Sequence, residues 1–125
     1  MKIAVIGSRD FKDRDEAFSI IYNMFDPTCR EQLPHLVSGG ARGIDSLAEE
    51  VVNYLNELYE VNIQKTIFKP DWDKHGKSAG FIRNKLIIDE ADFIVAIWNA
   101  KSKGTKHSID LAIKANKPID IYIRP

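Results

Sequence analysis

Two arginines stand just beyond glycines in this chain, Arg9 in Gly7-Ser8-Arg9-Asp10 and Arg42 in Ser38-Gly39-Gly40-Ala41-Arg42-Gly43. A guanidinium grips a phosphate or carboxylate through paired hydrogen bonds, and glycine lets the backbone approach a bulky oxyanion or adopt positive φ. The second stretch leads into a helix whose first amides would point outward as donors, so it reads as a phosphate cradle. Ser102, Gly104 and Thr105 precede a later helix, where they either cap it or form a second anion site. Arg83, with Asn84 beside it, either faces the same ligand or is a solvated helix residue. Trp72, between Asp71 and Asp73, is suited to stacking on a nucleobase or to packing at a subunit interface.

Sharper motifs fail. Gly76-Lys77-Ser78 resembles the end of a P-loop, but Asp71 stands where that pattern needs glycine. The glycine-rich stretch matches the dinucleotide pattern only in part, because Ser38 replaces the first glycine and the stretch follows the second strand. Asp71, Asp73 and His75 are better read as turn and cap residues than as metal ligands. His35, His75 and His107 have no evident nucleophile partner, and no G-x-S-x-G elbow occurs. The sequence therefore calls for no metal and no cofactor.

The elements that must position these residues alternate. Lys2 to Ile6 is an apolar run expected to form a buried strand, and Arg14 to Phe25 repeats at helical spacing up to Pro27. His35 to Val37 reads as a second strand. Leu47, Val51, Leu55 and Leu58 mark one face of a second helix, and Val61 to Phe68 reads as a third strand ended by Pro70. A loop from Lys69 to Lys77 precedes a helix over Ser78 to Asp89 with Ile82 and Leu86 inward. Phe93 to Trp98 is expected to sit centrally in the sheet. A last helix carries Ile109, Ala112 and Ile113, and Pro118 to Ile123 closes the chain. The sum is a Rossmann-like three-layer α/β fold with a mostly parallel five-stranded sheet, read as one domain over residues 1–125. The loops Gly7 to Asp10, Ser38 to Gly43, Pro70 to Asp73 and Lys101 to Thr105 all open on the carboxyl rim, where such sheets bind ligands.

Eighteen basic and eighteen acidic residues give zero formal net charge, so no long-range field advertises DNA, RNA or an anionic membrane, and nucleic acid is judged an unlikely partner. No apolar run is long enough to span a bilayer, and no leader pattern opens the chain. The lone Cys29 fits a reducing compartment. A cytoplasmic location is expected.

Taken in order, Gly7-Ser8-Arg9 with Phe11, Val37 to Asp45, Asp71-Trp72, Ala79 to Asn84 and Lys103-Gly104-Thr105 resemble the SLOG superfamily, named for the Smf/DprA and LOG proteins, and in particular its small YspA-like branch. The resemblance implies ligand binding at the glycine-rich rim and homo-oligomers. It also implies a role in sensing or processing nucleotide-derived signals, in several members during conflict between phages and bacteria. Ligand contacts are then expected from Gly7, Ser8, Arg9, Ser38, Gly39, Gly40, Arg42, Gly43, Asp71, Trp72, Arg83, Asn84, Ser102, Gly104 and Thr105. LOG-type phosphoribohydrolases carry a catalytic glutamate where this chain has Ser108. A module that binds a phosphorylated nucleotide or an ADP-ribose-type or cyclic-nucleotide signal is therefore preferred over an N-glycosidase using Arg83 and Asp110.

Overall fold

In the computed structural model, which describes residues Met1–Pro125, Lys2–Gly7 forms β1, with Ile3, Ala4, Val5 and Ile6 all buried. A strand covered on both faces has no reason to alternate, and this one takes the middle of the sheet. It pairs in parallel with β2 (His35–Ser38) on one side and β4 (Phe93–Trp98) on the other. β3 (Lys65–Ile67) and β5 (Ile119–Ile123) form the edges, giving the order β3-β2-β1-β4-β5 with every pairing parallel. β1, rather than the expected Phe93 to Trp98 strand, is thus the central one.

Successive side chains point to opposite faces. Ile3, Val5, Val95 and Ile97 pack under α1 (Arg14–Phe25) and α2 (Ile44–Tyr59). Ala4, Ile6, Ile94 and Ala96 pack under α4 (Ala79–Glu90) and α5 (Lys103–Lys114). Between β3 and α4 lie α3 (Trp72–His75) and a 3-10 turn, Gly76–Ser78. The chain crosses the sheet between β3 and β4, so the loops after β1 and β4 diverge and leave a crevice at the switch in strand order.

Four expectations about elements are corrected. The third strand is only Lys65–Ile67, because Asn56 at the end of α2 holds Ile63 by two hydrogen bonds, Ile63 N to Asn56 Oδ1 at 2.7 Å and Asn56 Nδ2 to Ile63 O at 3.3 Å. Ile63 is stapled to the helix, and pairing with the sheet begins at Gln64, whose carbonyl accepts from Leu36 N at 2.9 Å. On α4, Ile82 and Leu86 are exposed, and the inward stripe is Asn84, Ile87 and Ile88, continued by Ala91 just past the helix end. Leu58 and Ile113 are likewise exposed, leaving Leu47, Val51 and Leu55 on α2 and Ile109 with Ala112 on α5 as the inward ones of the residues expected there. The loop expected over Lys69 to Lys77 contains the turn of α3, whose start is capped by the Asp71 carboxylate accepting from Lys74 N at 3.1 Å.

Candidate functional site

The crevice is built by two loops in backbone contact. A methyl group on Gly7 would sit 2.5 Å from Ile44 Cβ, and one on Gly43, where φ is +82°, would sit 2.5 Å from Arg9 Cα. Ile44 N donates to Ser8 O at 3.2 Å across the same contact. Gly7 and Gly43 therefore allow the β1–α1 loop to lie on the start of α2. Ser8 is buried and pinned: its amide donates to Ile97 O at 3.1 Å, and its Oγ accepts from Asn99 N at 3.0 Å.

Asn99 organises the loop after β4. Its Oδ1 accepts from Lys101 N and Ser102 N, both at 2.9 Å, while its Nδ2 donates to Asp10 O at 3.2 Å. Sequence reading missed it, although an asparagine directly after a buried strand is a turn signal. Ser102 caps α5, its Oγ accepting from Thr105 N at 3.4 Å and lying 3.1 Å from Thr105 Oγ1.

Arg83 holds the other wall. Its Nη1 donates to Gly39 O at 2.8 Å and its Nε to Asn84 Oδ1 at 3.0 Å. Burial lowers its pKa, an effect opposed by the carboxylate of Asp45 and reinforced by the charge of Arg9. Asp45, in the first turn of α2, is buried, and burial pushes its carboxyl up to about 6 against the stabilising pull of Ala41 N, which donates to Oδ2 at 3.2 Å, and of Arg83. Asn84 is buried, with Nδ2 3.3 Å from His107 Nδ1 and 3.5 Å from Gly104 O. Phe81 packs against the His107 ring at 4.5 Å.

These walls enclose an open cleft of about 810 Å³, onto which Arg9, Lys12, Arg83 and Lys101 bring positive charge. Asp45, Asn84, Thr105 and Ser108 line the cleft as its buried polar residues. A second hollow of about 350 Å³ shares Arg9 and Arg83 with it and adds Gly39, Gly40, Lys69 and Trp72. Trp72 is 54% exposed there.

Of the residues singled out from sequence, Gly7, Arg9, Arg83, Asn84, Ser102, Gly104 and Thr105 line the cleft, and Gly39, Gly40 and Trp72 line the hollow. Others are not brought there. Ser38 is buried, its Oγ 3.4 Å from Gly40 N; Ser8 and Gly43 lie behind the loops; Asp71 caps α3. Arg42 is exposed and lines neither space. Asp110 is exposed on α5 and paired with Lys106 at 2.8 Å, away from the cleft. The one carboxylate recessed in the cleft, Asp45, was named from sequence only as part of the resemblance.

Fold and site together define a doubly wound α/β domain with a polar, cation-rimmed cleft at its switch point. The chain is 30% identical over 122 residues to the Gene 61 protein of Mycobacterium phage D29, covering 94% of this chain and 93% of that protein. It belongs to the family of that phage protein. No protein-family model matches it. Among solved structures it resembles DNA processing protein A from Helicobacter pylori, described for its single-stranded DNA binding mode, with TM-score 0.66 and 23% identity over 97% of this chain. The match spans 64% of the length of that structure. The likeness bears out the Rossmann-like fold.

These findings correct the expected ligand. The solved protein of like fold is described as binding single-stranded DNA, and neither comparison points to a nucleotide-derived signal. The judgement that nucleic acid is an unlikely partner falls with it. Its physical basis was the zero net charge, which hides a local excess: four cations line the cleft against the two carboxylates of Asp10 and Asp45. The N-glycosidase alternative also lacks support, since Asp110 is outside the cleft and the described neighbour is a DNA-binding protein. No helix is long and apolar enough to cross a membrane.

Proposed function

We propose that this chain binds single-stranded DNA in the cleft, with Arg9, Arg83, Lys12 and Lys101 against the sugar-phosphate backbone and Trp72 under an unpaired base. The observation that carries the reading is the joining of the two spaces at Arg9 and Arg83, which places a charged cleft beside an exposed indole. Proteins that take single strands without strong sequence preference combine these two features, a basic track and an aromatic platform. A paired base has no free face for Trp72, so the site discriminates against duplex. The fold shared with a protein described as binding single-stranded DNA supports the same choice. Residues 1–125 act as one unit of the Smf/DprA-like kind, in the cytoplasm and as a homo-oligomer, and the order of its motifs suits the YspA-like branch.

Fluorescence anisotropy with a labelled oligothymidylate and a duplex of equal length tests the proposal. Binding to the single strand should weaken with salt at a log–log slope of roughly −3, the value for four backbone contacts. Absence of binding at about 50 mM salt, or equal affinity for duplex, would overturn it.

A further inference from the structure

β5 is an edge strand, paired with β4 on one side only. Arg124 N donates to Trp98 O, and Ile94 N donates to Pro118 O. In this parallel ladder the even-numbered residues of β5 therefore use their amides and carbonyls on β4, and Ile119, Ile121 and Ile123 turn theirs outward. The same isoleucines stand beside Ile94, Ala96 and Trp98, on the face covered by α4 and α5. Ile121 is nevertheless 41% exposed and Ile123 56%. An edge strand with free hydrogen-bonding groups and exposed β-branched side chains is a template for another strand unless charge, proline or a covering element blocks it. Between Ile119 and Ile123 the single charge is Asp120.

We propose that β5 pairs antiparallel with β5 of a second copy, about a two-fold axis at Tyr122. Two independent constraints select this register. Outward-facing groups must meet outward-facing groups, so the isoleucines pair among themselves, Ile121 of each copy with Ile123 of the other. The two-fold at Tyr122 then sets Asp120 of each copy opposite Arg124 of the other, two opposite-charge pairs generated by one self-complementary strand. A two-fold at Ile121 also satisfies the hydrogen bonds, but it sets Asp120 opposite Tyr122 and leaves Arg124 without a partner. Arg124 already contacts Glu16 within its own chain and would lie between two carboxylates in the pair. The pairing joins both sheets into one and buries the exposed isoleucines.

Size-exclusion chromatography with light scattering reads the association. The wild type should be a dimer, and Ile123→Lys, at a solvent-facing position, should convert it to a monomer with unchanged circular dichroism. Asp120→Arg and Arg124→Asp should each weaken the dimer at least tenfold, while the double substitution restores it, because the reversed charges face each other again. In a Cys29→Ser background, Tyr122→Cys should cross-link on oxidation, since residues at a non-hydrogen-bonded two-fold pair lie within disulfide reach. A folded wild-type monomer at all concentrations would overturn the proposal. So would a dimer indifferent to the β5 substitutions but broken by Leu86→Lys on α4, or cross-linking through Ile121→Cys in place of Tyr122→Cys.

Discussion

Gly39 is held between Arg83 and Asp45: Arg83 Nη1 donates to the Gly39 carbonyl at 2.8 Å, and a methyl group on Gly39 would meet Nη1 at 2.5 Å and Asp45 Oδ2 at 3.0 Å. The three residues come from the β2–α2 loop, α4 and α2, and their contact fixes the wall shared by the two hollows. Gly39→Ala should displace the guanidinium and cost about 1–3 kcal/mol, the usual scale for overpacking a filled site. Urea denaturation reads the loss, and an unchanged midpoint would mean that Arg83 moves aside freely.

Asp45 predicts an unusual pH dependence. Its carboxyl is raised by burial to about 6, above its unfolded value, so between about pH 4 and 6 the folded state binds more protons than the unfolded chain. Stability should therefore be greatest at the acid end of that window and fall as pH rises through it, by about 3 kcal/mol at most. Asp45→Asn should flatten the curve of unfolding free energy between pH 4.5 and 7.5. The same ionisation places a negative charge in the cleft, so single-stranded DNA should also bind less tightly as pH rises; parallel curves for both proteins would refute the assignment.

Removing cleft cations should change the salt dependence as well as the affinity. Arg9→Ala and Lys101→Ala should each reduce the log–log slope by roughly 0.7, one single-strand phosphate contact apiece. Arg42→Ala, exposed and outside both spaces, should leave slope and affinity as they are. A larger effect at Arg42 than at Arg9 would move the site to the other side of the glycine-rich loop.

Trp72→Ala should weaken binding by about 1–3 kcal/mol, the range for one base–aromatic stack. The indole is more than half exposed, so thermal stability should change little. In the wild type, quenching of indole fluorescence on titration with oligothymidylate should be seen, and it should disappear in the variant except for the contribution of Trp98.

Ser8→Ala separates architecture from binding. Its hydroxyl accepts from Asn99 N and does not line the cleft, so its loss leaves a part-buried amide unpaired at about 1–3 kcal/mol. The expected result is a lower Tm with unchanged affinity well below it. A loss of affinity in a fully folded variant would make Ser8 a ligand contact after all.

The strands β1 and β4 were legible because uninterrupted apolar runs leave few other readings, and α1 because Pro27 marks its end. β3 was overextended because the two bonds from Asn56 that detach Ile63 from the sheet leave no trace in hydrophobic pattern. The inward face of α4 was misplaced because it includes a polar residue, Asn84, whose contacts with His107 and Gly104 exist only in three dimensions. In the site, Arg9 and the glycine loop stood out by type and spacing. Lys12, Lys69 and Lys101 did not, because ordinary lysines far apart in sequence become a patch only when β1, β3 and β4 bring their loops to one rim.

The crossing of the sheet between β3 and β4 has a consequence for how the site comes into being. Every wall of the cleft belongs to a different part of the chain, and Arg9 meets the Asn99 to Thr105 loop only after β1 and β4 have paired across some ninety intervening residues. Loop closure over that span precedes any reward from the contact. Seven of the eighteen residues lining the cleft follow β4, so a fragment ending before that strand keeps the wall of Arg9, Asp45 and Arg83 and lacks the one opposite, and oligonucleotide held as proposed would report that β1 and β4 have paired. Tight capture of oligonucleotide during refolding would therefore time the pairing of β1 with β4.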